Sequence, residues 1–248
     1  MADLYSNTGD GYILSDRPAT WAGARDDTDG DSVSTSDTRK SQFTEATRFG
    51  SRGGGNTYQI RRSFMYFDTS GITSTLSSAT IKIYGYGGND GSVIAVKSTA
   101  FGGDGGTALA TTDLDAITGY SAGSSLAGAA TVYGAQILTS SWSTSSYNEM
   151  TGSSDLLADM KNNNVVIICF MNYTNDYLNS AVASDTTLNC GGYYTDNSGT
   201  SKDPYIEYAV STGPVMAKVN GVADGSISKI DGVTNANMAK INGVTDTD

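Results

Sequence analysis

The sequence predicts an all-β sandwich with one short helix, followed by a short β-structured repeat tail. Three observations point there. The 248 residues include 30 Gly and 15 Tyr but only 3 Pro, 6 Phe and 2 Trp, a balance that suits a sandwich with many turns better than a helical bundle. Short runs of β-branched and aromatic residues recur between Gly-, Asn- and Asp-rich breaks. Near the end, one phrase is repeated three times at a period of 11 residues: Met216 to Val222, Ile227 to Val233 and Met238 to Val244. The predicted organisation is a β-sandwich domain over residues 1–210, a linker at 211–215 and a repeat tail over 216–248.

Taken in order, residues 10–57 are polar and turn-rich and carry no strand pattern. From Tyr58 the texture changes. Ile60, Arg62, Phe64 and Tyr66 alternate with Arg61, Ser63, Met65 and Phe67, which places large side chains on both faces. A strand of that kind belongs to a sheet covered on both sides. Ile81 to Tyr86 and Val93 to Val96 follow as further strands, separated by Gly87-Gly88-Asn89-Asp90-Gly91. One segment reads as a helix, with Ser154 as N-cap, Asp155 in the first turn, Leu156, Leu157 and Met160 on one face and Asn162-Asn163-Asn164 closing it. Val165 to Phe170 is then a buried central strand, and Tyr205 to Val210 is a last strand opened by Pro204. Ser211-Thr212-Gly213-Pro214 reads as the linker.

The tail cannot be a right-handed coiled coil, although an 11-residue period permits one. Its apolar positions advance by 3, 3 and 5 residues, where a helical seam needs 3 and 4. Each copy also carries Asn-Gly or Asp-Gly mid-repeat, at Asn220-Gly221, Asp231-Gly232 and Asn242-Gly243. Flanked by β-branched residues, these pairs are strong signals for two-residue hairpin turns. The strands left over are too short to stand alone. The expected assembly elements are Val219, Gly221, Val222, Ile230, Gly232, Val233, Ile241, Gly243 and Val244, with Lys218, Lys229 and Lys240 facing out and the tails of three chains wound into one stem; the alternative is a flexible polar tail whose repeats each dock a partner separately.

Charge and composition exclude several functions. A net charge of −11 and an isoelectric point near 4.3 repel a phosphate backbone, so nucleic acid is not an expected partner. Arg39, Lys40, Arg48, Arg52, Arg61 and Arg62 do cluster; alternating strand positions are expected to expose them to solvent, with an anion or acidic-polysaccharide site as the alternative. The chain has no histidine, which removes the commonest general base and metal ligand and every triad that contains histidine. Cys169 and Cys190 are expected as unpaired core thiols. No cofactor is called for. The oxygen-rich loop at Asp26 to Asp31 can hold Ca²⁺ through Asp27, Asp29 and Asp31, although its spacing is not that of an EF-hand and a solvated loop is the default. With no signal-like start and no run of 18 apolar residues, the expectation is synthesis in the cytoplasm and no membrane insertion.

The run Arg62 to Ile72, the segment Ala79 to Tyr84, the helix-then-strand at 154–170 and Pro204 to Tyr208 together resemble the DNRLRE-type jelly-roll domains. That family occurs as carbohydrate-binding modules beside polysaccharide-degrading enzymes and in phage structural proteins. The tail resembles the Ile-Asn-Gly-Val repeats of phage virion and tail-associated proteins. These resemblances imply a non-enzymatic virion structural protein: a fibre, decoration or tail accessory assembled in the host cytoplasm. Its implied partners are other copies of itself, as a homotrimer, other virion proteins and host polysaccharide. An extracellular carbohydrate-binding module without a virion role is the alternative. The candidate glycan-stacking residues are Trp21, Trp142, Tyr147, Tyr173, Tyr177, Tyr193 and Tyr194, each near a loop or strand end. No carboxylate pair stands out by spacing as a glycosidase couple.

Overall fold

The structure is a computed structural model that describes residues 1–50 and 54–211 in full and, further on, the backbone of six two-residue strands between 218 and 245. It divides into two compact units, Met1–Ala209 and Val210–Asp248. The first unit is an all-β sandwich. Its strands are β1 (Ala2–Tyr5), β2 (Gly11–Asp16), β3 (Ser32–Ser34), β4 (Arg39–Gly50), β5 (Asn56–Asp68), β6 (Leu76–Asn89), β7 (Ser92–Lys97), β8 (Val132–Leu138), β9 (Tyr147–Thr151), β10 (Val165–Met171), β11 (Thr186–Tyr193) and β12 (Tyr205–Val210). Two short helices accompany them, α1 (Trp21–Arg25) and α2 (Ser154–Asn162).

One layer runs β1-β12-β6 with β9 on the free side of β6, and the other runs β11-β4-β5-β10-β7-β8 with β2 and β3 attached to β5. The ladders β1–β12, β6–β9, β6–β11 and those within the second layer are antiparallel. β11 joins the layers by pairing with both β4 and β6, its register shifting between Cys190 and Gly192. At that corner Gly191 passes so close to β6 that a Cβ would fall on the Tyr86 carbonyl, and the Cα of Ser41 closes the other side at 2.9 Å. Both obstacles are backbone, which cannot rotate away. Gly191→Ala is therefore expected to destabilise the head by about 3 kcal/mol or more, and a denaturant midpoint matching the parent would contradict this.

β5 has large side chains on both faces because it separates two cores. Met65 and Phe67 point between the two layers, where they meet Ile81, Ile83, Met150 and Ile206 from one sheet and Phe43, Val166 and Ile168 from the other. Ile60 and Phe64 point the opposite way, into a second core with Ile13, Ile167 and Cys169. That second face is roofed by α1, by the long irregular segment between β7 and β8, which supplies Phe101, Leu109, Leu114, Ile117 and Leu126, and by a π-helical turn at Tyr173–Tyr177. Cys169 and Cys190 are free and buried, and they lie in different cores.

The basic stretch departs from expectation. Arg62 is fully buried and Arg61 is 6% exposed, so alternation along β5 does not carry them to solvent. Each is held by an internal carboxylate. Arg62 makes a two-pronged pair with Asp176 at 2.7 Å on both prongs, and Arg61 lies 3.0 Å from Glu45. Arg52 lies outside the described residues. Residues 10–57 also hold more structure than their polarity predicts: β2, α1, β3 and β4. The inward polar groups of β4 escape the hydrophobic pattern because they satisfy one another, with Glu45 accepting from Thr47 Oγ1 at 2.7 Å and Gln59 Nε2 at 3.1 Å. The helix expected at 154 is present, but Ser153 is its N-cap, its Oγ accepting from Leu156 N at 3.2 Å.

In the second unit each repeat forms the same small antiparallel ladder. β13 (Lys218–Val219) pairs with β14 (Val222–Ala223), β15 (Lys229–Ile230) with β16 (Val233–Thr234) and β17 (Lys240–Ile241) with β18 (Val244–Thr245). Val219 faces Val222, Ile230 faces Val233 and Ile241 faces Val244. The linker beyond Ser211, Gly221, Gly232 and Gly243, and the side-chain packing of the repeats lie outside the described residues.

Candidate functional site

The strongest candidate is a row of tyrosines on the outer face of the β1-β12-β6-β9 layer. β6 alternates strictly. Ile81, Ile83 and Gly85 turn into the core, so Lys82, Tyr84 and Tyr86 turn out, half-buried. Strand register brings further rings beside them. Tyr84 lies opposite Tyr147 of β9, and Tyr205 of β12 lies opposite Tyr5 of β1. Tyr193 arrives from β11, one residue before Tyr194, which turns the other way into the core.

The rings form a continuous series, Tyr5-Tyr205-Tyr147-Tyr84-Tyr193-Tyr86, with successive centroids 5.4, 5.0, 5.2, 5.5 and 5.7 Å apart. Four of the five contacts are edge-to-face, the favoured arrangement for neighbouring rings. Hydroxyls fix the row to the loops beneath it: Tyr147 donates to the Asp203 carbonyl at 3.2 Å and Tyr84 to that of Ser145.

Three cations lie over these rings. Lys82 Nζ is 5.7 Å from the Tyr205 centroid, Lys202 Nζ is 5.2 and 4.7 Å from Tyr84 and Tyr193, and the Arg39 guanidinium is 4.4 and 5.9 Å from Tyr86 and Tyr193. The Tyr193 hydroxyl accepts from Arg39 at 3.2 Å and from Lys202 at 3.3 Å. The Arg39 hydrogen bond, reinforced by that of Lys202, holds the Tyr193 phenol below its ordinary pKa. Lys82 differs in being paired with Glu149 at 2.9 Å and Glu207 at 3.4 Å. The face thus offers apolar ring surface, phenolic hydroxyls and a cationic end.

Of the seven aromatics expected from sequence, only Tyr147 and Tyr193 belong to this row. Trp142 and Tyr194 are core residues: Trp142 Nε1 donates to the Gly191 carbonyl at 3.0 Å, and the Tyr194 hydroxyl meets Ser63 Oγ at 2.6 Å. Trp21, Tyr173 and Tyr177 lie at the roof of the second core. There Tyr173 and Tyr177 stack at 5.7 Å, and Trp21 packs edge-on to Tyr58 and donates to Asn179 Oδ1 at 3.0 Å. Tyr5, Tyr84, Tyr86 and Tyr205 were missed. The pattern Lys82-x-Tyr84-x-Tyr86 on a strand whose other face is Ile81-x-Ile83 was the available signal.

Asp27, Asp29 and Asp31 do not converge. Asp27 accepts from Asp29 N at 3.2 Å, Asp31 accepts from Asp16 N at 2.5 Å, and among the described residues no group of three acidic or thiol side chains is placed to hold a metal. Elsewhere on the first unit a concavity of about 570 Å³ opens beside Lys97, Tyr133, Asn163 and Asn164. Its cation is already engaged, since Lys97 Nζ donates to Asp159 at 2.8 Å and the Tyr133 hydroxyl donates to the same carboxylate oxygen. Among the described residues no helix is long and apolar enough to cross a membrane. No family model and no curated sequence matches the chain, and the DNRLRE-type likeness rests on its own residues alone.

Proposed function

We propose that this chain is a non-catalytic structural protein of the phage-virion type, a β-sandwich head displayed on a tail through which three copies associate. The observation that carries the reading is the tail repeat: three ladders of two-residue strands, all with the same register. A ladder that short is marginal in water and buries no core of its own. Repetition at a fixed period gains stability only when the apolar faces stack on one another or on those of further chains. Mass spectrometry of purified phage particles from the source culture is expected to find the chain as a stoichiometric component. Its absence from particles that infect normally contradicts the virion role.

The tyrosine row favours a second, compatible function, the binding of a surface polysaccharide. The half-buried rings of Tyr84, Tyr86, Tyr147 and Tyr205 give sugar faces an apolar partner, with Tyr193 buried at 4% exposure beneath them, while guanidinium and ammonium groups supply hydrogen bonds at the rim. A head that binds weakly gains from a multivalent tail, because linked sites raise avidity by about 10²–10⁴ without any new contact.

A further inference from the structure

We infer that the end of the row at Arg39, Tyr193 and Lys202 is an anion-recognition spot, and that the ligand of this face is an acidic heteropolysaccharide in which charged sugars alternate with neutral ones. The inference rests on the polysaccharide-binding reading and adds the chemistry that selects the polymer.

The charge arrangement carries it. Eight of the described Arg and Lys side chains contact a carboxylate within 4 Å. Arg39 and Lys202 do not, although the chain as a whole carries a net charge of −11. Both instead converge on one neutral acceptor, the Tyr193 hydroxyl, at 3.2 and 3.3 Å. Arg39 is exposed and Lys202 partly so, which leaves donors on each head group for an incoming anion. A guanidinium and an ammonium side by side hold a carboxylate or sulfate through charge-assisted hydrogen bonds, and the rings beneath limit how far either cation moves.

The opposite end of the row selects against dense charge. Lys82 is neutralised by Glu149 and Glu207, so an anion placed over Tyr205 and Tyr147 meets carboxylates and no free cation. A polymer with a charge on every unit, such as single-stranded nucleic acid, meets repulsion at the Tyr205 and Tyr147 end of the row. A polymer with one acidic sugar per repeating unit sets its charge between the Arg39 and Lys202 head groups, above the buried Tyr193, and lays neutral sugars over the half-buried rings.

The test is titration of the full chain, at low and at moderate salt, with four probes: hyaluronan, carboxyl-reduced hyaluronan, chondroitin sulfate and single-stranded DNA. Hyaluronan is expected to bind at least about tenfold more tightly than its carboxyl-reduced form, the worth of one charge-assisted contact, and to weaken as salt rises. In Arg39→Gln/Lys202→Gln the two forms are expected to bind within about twofold of each other, while Lys161→Gln on α2 keeps the full preference. Stronger binding of chondroitin sulfate, which is charged on both sugars of its repeating unit, than of hyaluronan overturns the selection for alternating charge and leaves the anion spot standing. Equal binding of the native and carboxyl-reduced polymers overturns the anion assignment and leaves polysaccharide binding standing. DNA binding more tightly than every polysaccharide overturns the ligand class. No binding to any of the three polysaccharides overturns both readings.

Discussion

Asp176→Asn is expected to cost the head about 3–5 kcal/mol, a large part of the roughly 5–15 kcal/mol that holds a typical domain folded. Asp176 and Arg62 are both fully removed from solvent, and their side chains meet through two hydrogen bonds of 2.7 Å. Burial alone would depress the Arg62 guanidinium, but the Asp176 carboxylate outweighs it and holds Arg62 above its ordinary value. A second buried cation, Arg25, donates to the Asp176 backbone carbonyl at 2.7 Å and lies 3.6 Å from its carboxylate. Neutralising Asp176 therefore leaves two guanidinium groups facing each other's field without their shared counter-charge.

The effect reaches beyond the pair. Arg62 also donates to the carbonyls of Leu114 at 2.7 Å and Arg25 at 2.9 Å, Arg25 donates to that of Ser124 at 2.7 Å, and the Tyr120 hydroxyl donates to that of Arg25 at 2.8 Å. These bonds tie the irregular roof between β7 and β8 to the sheet. In the variant, amide exchange is expected to accelerate first across residues 109–126, ahead of β5 and β10. Chemical denaturation measures the total, and a loss below about 1 kcal/mol would show that the pair is not essential to the fold.

The second large effect is pH-dependent. Asp10 is fully buried. Its oxygens accept from Thr195 N at 3.2 and 3.3 Å, from Thr195 Oγ1 at 2.7 Å and from Ser6 Oγ at 3.3 Å. Burial raises its pKa from 3.8 to about 7, with the Thr195 and Ser6 bonds opposing and the charge of Asp196 assisting. Between those two values the folded chain keeps a proton that the unfolded chain has released. This contribution is thus fully present below pH 3.8 and is lost as pH rises through about 7. The whole swing is on the order of 4 kcal/mol, from 1.36 kcal/mol per pKa unit. Asp10→Asn removes the swing, so the variant is expected to match the parent near pH 4 and exceed it in stability near pH 8. Asp37, Asp68 and Asp159, whose pKa values are lowered, add an opposing slope below pH 4 that both proteins share. The difference between the two proteins is therefore the readout, and a difference that stays constant from pH 4 to pH 8 contradicts the assignment.

How much of this was legible in the sequence varied with the physical signal. β5 could be read as doubly covered because Phe64 and Met65 are adjacent and both large. Its second cover could not, because the roof between β7 and β8 is Gly-, Thr- and Asp-rich and contributes isolated apolar residues such as Leu114 and Leu126 without a period. The interior cations were misread for a related reason. Alternation tells which way Arg62 points, but Asp176, the partner that makes burial tolerable, is 114 residues away. Two of the six tyrosines in the row were anticipated from their nearness to loops. Of the other four, Tyr84 and Tyr86 were legible from alternation with the core-facing Ile81 and Ile83 of β6, and Tyr205 from its place beside the core-facing Ile206. Trp142 and Tyr194 show why loop proximity misleads, since both follow or precede a turn and still pack inward.

Light scattering of the full chain and of a chain ending at Ser211 compares their masses in solution directly. Association through the repeats predicts a full chain of three times its monomer mass and a shortened chain that is folded and monomeric. Equal oligomeric states for the two would contradict it.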